Sequence, residues 1–94
     1  MTDADLLTIL KQQLQILTDA LDSFLSHLIS VAKQMVATEG INDDNSQEYY
    51  HIVIMQARYL YNKRDTGEGE PRSLRYAKNN KLFAQKIEAY EGNV

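Results

Sequence analysis

Apolar positions recur at three- and four-residue spacings along almost the whole chain and nowhere alternate with the period of two that a half-buried strand requires. The densest stretch is SQEYYHIVIMQARYLYNKRD, residues 46–65. There Tyr49, Tyr50, Ile52, Val53, Ile54, Met55, Ala57, Tyr59, Leu60 and Tyr61 leave little polar circumference. A helix of this kind is normally wrapped by other helices rather than laid on a core from one side. Its apolar character stops at Asn62-Lys63-Arg64-Asp65, where cations suit the negative end of a helix. The pattern predicts a central apolar helix over about 46–64.

The rest of the chain arranges itself around that stretch. Neither glycine nor proline occurs between Met1 and Gly40. Thr2 can cap a first helix near 3–15, with Asp3 and Asp5 in its first turn and a stripe formed by Leu6, Leu7, Leu10, Leu14 and Leu17. Thr18-Asp19, with Asp22 one turn on, reads as a second start. This predicts a second helix near 19–39, and a single bent helix is the alternative. Leu21, Phe24, Leu25, Leu28, Val31, Ala32, Met35 and Val36 form its core-facing stripe. Gly40 can take the left-handed conformation that stops a helix, and Ile41 is the apolar residue that often follows. In the turn-forming run Asn42-Asp43-Asp44-Asn45, Asn45 with Glu48 suggests the cap of the central helix.

Residues 65–70 form the clearest loop, expected to be flexible. Pro71 suits the first position of a further helix over 72–79. Asn79-Asn80 predicts an interruption, with Asn80 capping a last segment that holds Leu82, Phe83, Ile87 and Tyr90. Gly92 ends it, leaving a short tail at 92–94. The expectation is one all-α domain over 1–94, a small bundle of four to five helices around the central one.

Composition narrows the function. One domain of 94 residues, 44% hydrophobic and 24% charged, is ordinary for a globular chain. No cysteine is present, which removes disulfides, thiolate metal sites and cysteine nucleophiles and fits a reducing cytoplasm. The longest aliphatic run, Ile52 to Met55, is far short of a membrane span, and the acidic N-terminus lacks the plan of a signal peptide. The net charge of −3 is unevenly spread. Residues 1–48 hold eight acids and two bases, net −6, whereas residues 49–94 hold five acids and eight bases, net +3. Such a split fits nucleic-acid contact, two separately solvated faces, or like subunits meeting acid face to basic face.

No set of residues assembles into catalytic chemistry. His27 and His51 lack ligand spacing, Asp43-Asp44-Asn45 lacks the glycine and distal glutamate of a calcium loop, and Gly67-Glu68-Gly69 lacks the lysine and the preceding strand of a phosphate loop. The chain reads as a non-enzyme with no metal and no cofactor. Helix, turn, helix across 40–45 argues poorly for DNA reading, because the first turns of the second helix offer Gln47, Glu48, Tyr49 and Tyr50 and no base. The credible nucleic-acid surface is the basic run 72–86, with Arg72, Arg75, Lys78, Lys81 and Lys86.

The string MQARYLYNKR, the acidic glycine-containing loop and PRSLRYAKNNKLF resemble the head–tail connector proteins of tailed bacteriophages, also called head-completion or adaptor proteins. The Leu21-to-Gly40 helix is similar to that family's second helix, and the resemblance spans roughly residues 6–90. The family's fold is a small α-helical bundle. What the resemblance implies is structural work at the head–tail junction of a virion, by a protein made in the bacterial host cytoplasm. Copies of the chain would form a ring under the portal, extend the DNA channel, help retain the genome and dock the next tail-side protein. The implied partners are the chain itself, the portal and the tail-side connector, with room for non-specific contact with packaged DNA and none for a membrane. Family members often extend further at the C-terminus, whereas this sequence stops at Val94.

On that reading Tyr59, Tyr61, Arg64, Arg72, Arg75 and Lys78 carry subunit contacts or line the channel. Asp19, Asp22, Asp43 and Asp44 form the complementary acidic face, since head-to-tail contacts of unlike surfaces close rings. Core packing of the tyrosines and local pairing of the arginines are the plainer alternatives. From other classes, a small helical DNA-binding or DNA-packaging accessory module predicts salt-sensitive DNA binding, and a dimeric helical regulator predicts a dimer.

Overall fold

Several helix ends fall where a particular side chain or backbone conformation satisfies unpaired groups. The computed structural model describes residues 2–66 and 69–91, with side chains for all of these except 64–66, 90 and 91. Among the described residues there are four helices and no strand: α1 (Asp3–Leu14), α2 (Asp22–Thr38), α3 (Gln47–Thr66) and α4 (Arg72–Glu91).

α1 starts with a reciprocal cap. The Thr2 hydroxyl accepts from the Asp5 N–H at 3.2 Å, and the Asp5 carboxylate accepts from the Thr2 N–H at 3.0 Å. α1 and α2 are separate helices, not one bent one. Gln15 turns left-handed at φ 59°, and the Ile16 N–H closes back on the Lys11 carbonyl at 2.9 Å. This reversal leaves Leu17, expected on the core stripe, 96% exposed. α2 also starts three residues later than the Thr18-Asp19 signal suggests, because 19–21 form a turn in which the Asp22 N–H bonds the Asp19 carbonyl at 3.2 Å.

At the other end of α2 the glycine stop is as expected. Gly40 has φ 96°, where a side chain would be strained. Its N–H bonds the Ala37 carbonyl at 3.0 Å, while the Ile41 N–H reaches the Val36 carbonyl at 3.0 Å and the Ile41 side chain is buried. The cap of α3 is Ser46 rather than Asn45. The Ser46 hydroxyl accepts from the Tyr49 N–H at 3.1 Å, and Asn45 stands left-handed at φ 60° with its side chain receiving the Tyr50 hydroxyl.

α3 is the centre of the bundle and meets all three other helices. Tyr49, Tyr50, Ile52, Val53, Ile54, Gln56 and Ala57 are buried along it. α1 contributes Leu6 and Leu10; α2 contributes Leu25, Leu28, Ile29, Ala32 and Val36; α4 contributes Leu74. Phe24 and Met35, expected on the core stripe of α2, are more than one-third exposed, and Ile29 takes a core place instead.

α4 runs unbroken through Asn79-Asn80. Asparagine costs at most about 0.7 kcal/mol per helical position, and side chains anchored on both sides hold the helix through it. Pro71 lies just outside the helix, its carbonyl accepting from the Arg75 N–H at 3.1 Å. Further along, the Gln85 carboxamide clasps the α2–α3 turn. It donates to the Gly40 carbonyl and accepts from the Asn42 N–H, both at 2.9 Å. Asp65 and Thr66, expected in the loop, belong to α3. The rest of the loop expectation at Gly67-Glu68, and the expectations for Gly92 and the tail at 93–94, lie outside the described residues, as does the side chain of Tyr90.

Candidate assembly surface

The charges along α4 divide by side. Lys78 and Lys81, placed by sequence on an exposed basic flank, are 2% and 5% exposed. Lys78 meets Glu39 at 2.6 Å and also Glu70, while Arg75 meets Glu70 at 2.8 Å. Lys81 pairs with Asp44. A buried lysine keeps its charge only beside carboxylates, and its four-carbon stem packs as an apolar side chain on the way in. Glu39 and Asp44 come from the α2–α3 connection and Glu70 from the α3–α4 connection, and together they fix α4 to the bundle. Asp44 is pulled down to about 2 by its hydrogen bonds from Lys81 first and from Ser46 second.

The acidic positions expected to form one face are not together. Asp19 and Asp22 both pair with Lys11 at 2.9 Å, at the start of α2. Asp22 and then Asp19 raise Lys11 above its ordinary value, and Lys11 holds Asp19 below the usual carboxylate range. Asp43 and Asp44 lie beyond the other end of that helix, about 25 Å away at 1.5 Å per residue. There they fold the turn, Asp43 accepting from the Asn45 N–H at 3.0 Å and Asp44 from the Ser46 N–H at 3.1 Å.

Among the residues expected at subunit contacts, Tyr59 and Tyr61 are half-buried and pack on the core. The Tyr61 ring lies 6.5 Å from that of Phe24, and the Lys63 ammonium stands 5.7 Å from the Tyr59 ring centre. Arg72 is exposed, Arg75 is exposed but paired, and the Arg64 side chain lies outside the described residues.

Sequence reasoning missed the outward face of α4. Tyr76, Phe83 and Ile87 are 62%, 65% and 42% exposed. Spacings of seven and four place them within about 40° on one side of a helix turning 100° per residue. Leu74, Lys78, Lys81 and Gln85 occupy the opposite side, against the bundle. α4 is therefore inverted over this stretch, with Lys78 and Lys81 inward and Tyr76 and Phe83 outward. The signal was in the spacing: Leu74 and Ala77 fall on one side and Tyr76 and Phe83 on the other, so the apolar residues of this helix never formed one stripe.

A groove of about 530 Å³ lies between α2 and α3, lined in part by Val31, Met35, Tyr59 and Gln56, with Glu39, Glu70 and Lys78 at one end. Gln56 is fully buried. Its amide reaches only the Met35 sulfur at 3.8 Å, and its Oε1 has no hydrogen-bond partner. A buried acceptor left unpaired costs about 1–3 kcal/mol. Among the described residues no three His, Cys, Asp or Glu side chains cluster as metal ligands, and no helix is long and apolar enough to cross a membrane. His27 and His51 are both exposed. No protein-family model matches the chain, and no curated protein or solved structure matches it.

Proposed function

We propose that this chain is a non-catalytic assembly protein, a phage or prophage head–tail connector that forms a homo-oligomeric ring under the portal, extends the DNA channel and docks tail-side proteins. The observation that carries this reading is the inverted fourth helix. A chain with a limited core leaves two aromatics and an isoleucine in water while it buries two lysines beneath them. Exposed apolar rows of this kind mark protein contacts rather than solvated surface. The resemblance of MQARYLYNKR and PRSLRYAKNNKLF to connector proteins supplies the kind of assembly. The partners on this reading are further copies of the chain, the portal and a tail-side protein at the head–tail junction of a virion.

The DNA-binding alternative loses ground to the same geometry. Of the five bases in 72–86, Arg75, Lys78 and Lys81 are engaged with carboxylates, and a phosphate contact would have to displace them. Negative-stain microscopy of the concentrated protein mixed with a portal protein from the same genome tests the proposal. Closed rings with a central hole are expected, with weak binding to free DNA. A compact dimer that ignores the portal and shifts DNA in a salt-dependent manner overturns it.

A further inference from the structure

We infer that α4 is a strap that opens from the bundle as one unit while α1, α2 and α3 stay folded, with Lys78 and Lys81 as its latches. The inference concerns a single copy of the chain and stands apart from the ring reading above. Three observations carry it. The first is the division of the core. α1, α2 and α3 each pack on both of the others, whereas α4 packs mainly on α3. Leu74 is the one buried hydrophobic side chain of α4 among the described residues, with Ala77 and Leu82 partly buried beside it. Tyr76, Phe83 and Ile87 are exposed in the closed form, so lifting α4 takes little from them.

The second observation is the kind of attachment. The polar anchors of α4 converge on residues 39–44. Lys78 meets Glu39 at 2.6 Å, Lys81 pairs with Asp44, and the Gln85 carboxamide holds the Gly40 carbonyl and the Asn42 N–H. When such contacts open, water replaces them, and the ammonium and carboxylate groups recover the hydration that burial took from them. Buried apolar surface recovers nothing on exposure. An element held mainly by polar contacts therefore opens at a lower free energy than the core it rests on. The third observation is the space along the seam. A cleft of about 530 Å³ reaches the first half of α4 at Lys78, and a second of about 490 Å³ reaches its second half at Leu82, Gln85 and Lys86. Glu39 lines both, so lifting α4 joins the two clefts into one surface across the α2–α3 connection.

Hydrogen exchange of the full chain in dilute solution and low urea, read by mass spectrometry of overlapping peptides, tests the strap. Peptides across 76–88 are expected to share one rate and one shallow urea dependence, and to exchange at least about tenfold faster than those across 52–57. Lys78→Met is expected to speed the exchange of α4 roughly 30-fold, because Glu39 and Glu70 lose their cation in the closed form and are hydrated in the open one. Ile29→Val is a mild change in the core that α1, α2 and α3 share. It is expected to speed exchange across 52–57 about three- to tenfold and to leave 76–88 unchanged, since the open form still contains that core. A common rate and urea dependence for α3 and α4, or an Ile29→Val effect of equal size on both, would make α4 part of one global unit and overturn the inference. So would rates that climb steadily along 76–88 toward the end of the helix, the pattern of simple fraying, or a Lys78→Met protein whose α4 exchanges as in the wild type.

Discussion

α3 and α4 are both twenty residues long, yet they use their apolar side chains in opposite ways. α3 turns almost every apolar residue of its first three turns into the bundle, against all three neighbours. α4 is held through buried Leu74 with Ala77 and Leu82 beside it, two lysines meeting carboxylates and a glutamine clasping a turn, while Tyr76 and Phe83 point away. The difference teaches where to look for assembly. In α3 the apolar side chains of the first three turns are taken up by the bundle, whereas α4 adds ion pairs to a small apolar contact through Leu74, Ala77 and Leu82 and leaves Tyr76, Phe83 and Ile87 exposed.

The largest effect should come from breaking α3. Ile52→Ala removes a fully buried side chain and is expected to cost about 3–4 kcal/mol in urea unfolding. Phe83→Ala on α4 should change the stability of the monomer by less than about 0.5 kcal/mol and reduce self-association instead. Equal destabilisation by the two substitutions would remove the distinction between the helices.

A smaller effect sharpens the ionic half of the comparison. Lys78→Met leaves Glu39 and Glu70 without the cation they share, and it should cost about 2 kcal/mol, below the range for a fully buried pair because Glu39 keeps some contact with water. Arg72→Met, at an exposed position on the same helix, should be nearly neutral. Thermal unfolding monitored at α-helical wavelengths separates the two variants.

The smallest effect is the acid dependence of the Lys81–Asp44 tether. Asp44 is held at about 2 in the folded protein, below its ordinary value of 3.8. A carboxylate with a lowered folded-state value contributes stability that is fully present above the unfolded value and is lost as pH falls through the folded one. The tether should therefore weaken between about pH 4 and about pH 2, and the denaturation midpoint of Asp44→Asn should fall less over that window than that of the wild type. Identical acid profiles for the two proteins would show that this pair contributes nothing to holding α4.

What the sequence determined by itself is local: the capped start of α1, the glycine stop of α2, the apolar helix at the centre and the all-α class. Each of these follows from residues within one or two turns of one another, where spacing alone fixes the geometry. The positions of Leu17, Phe24 and Met35 were misread because helical spacing gives a stripe but not which side of it other helices will cover. Ser46 rather than Asn45 caps α3 because the choice depends on how the preceding turn is folded by Asp43 and Asp44.

Only the tertiary structure decided the charges and the candidate site. Asp44 and Lys81 are 37 residues apart, and Glu39 and Lys78 are still further apart in the chain, so no local pattern could reveal that these lysines are buried partners rather than an exposed basic flank. Their burial settles which side of α4 faces inward. It therefore leaves Tyr76, Phe83 and Ile87 outside, because a helix that turns its lysines toward distant carboxylates must turn its opposite face to the surroundings.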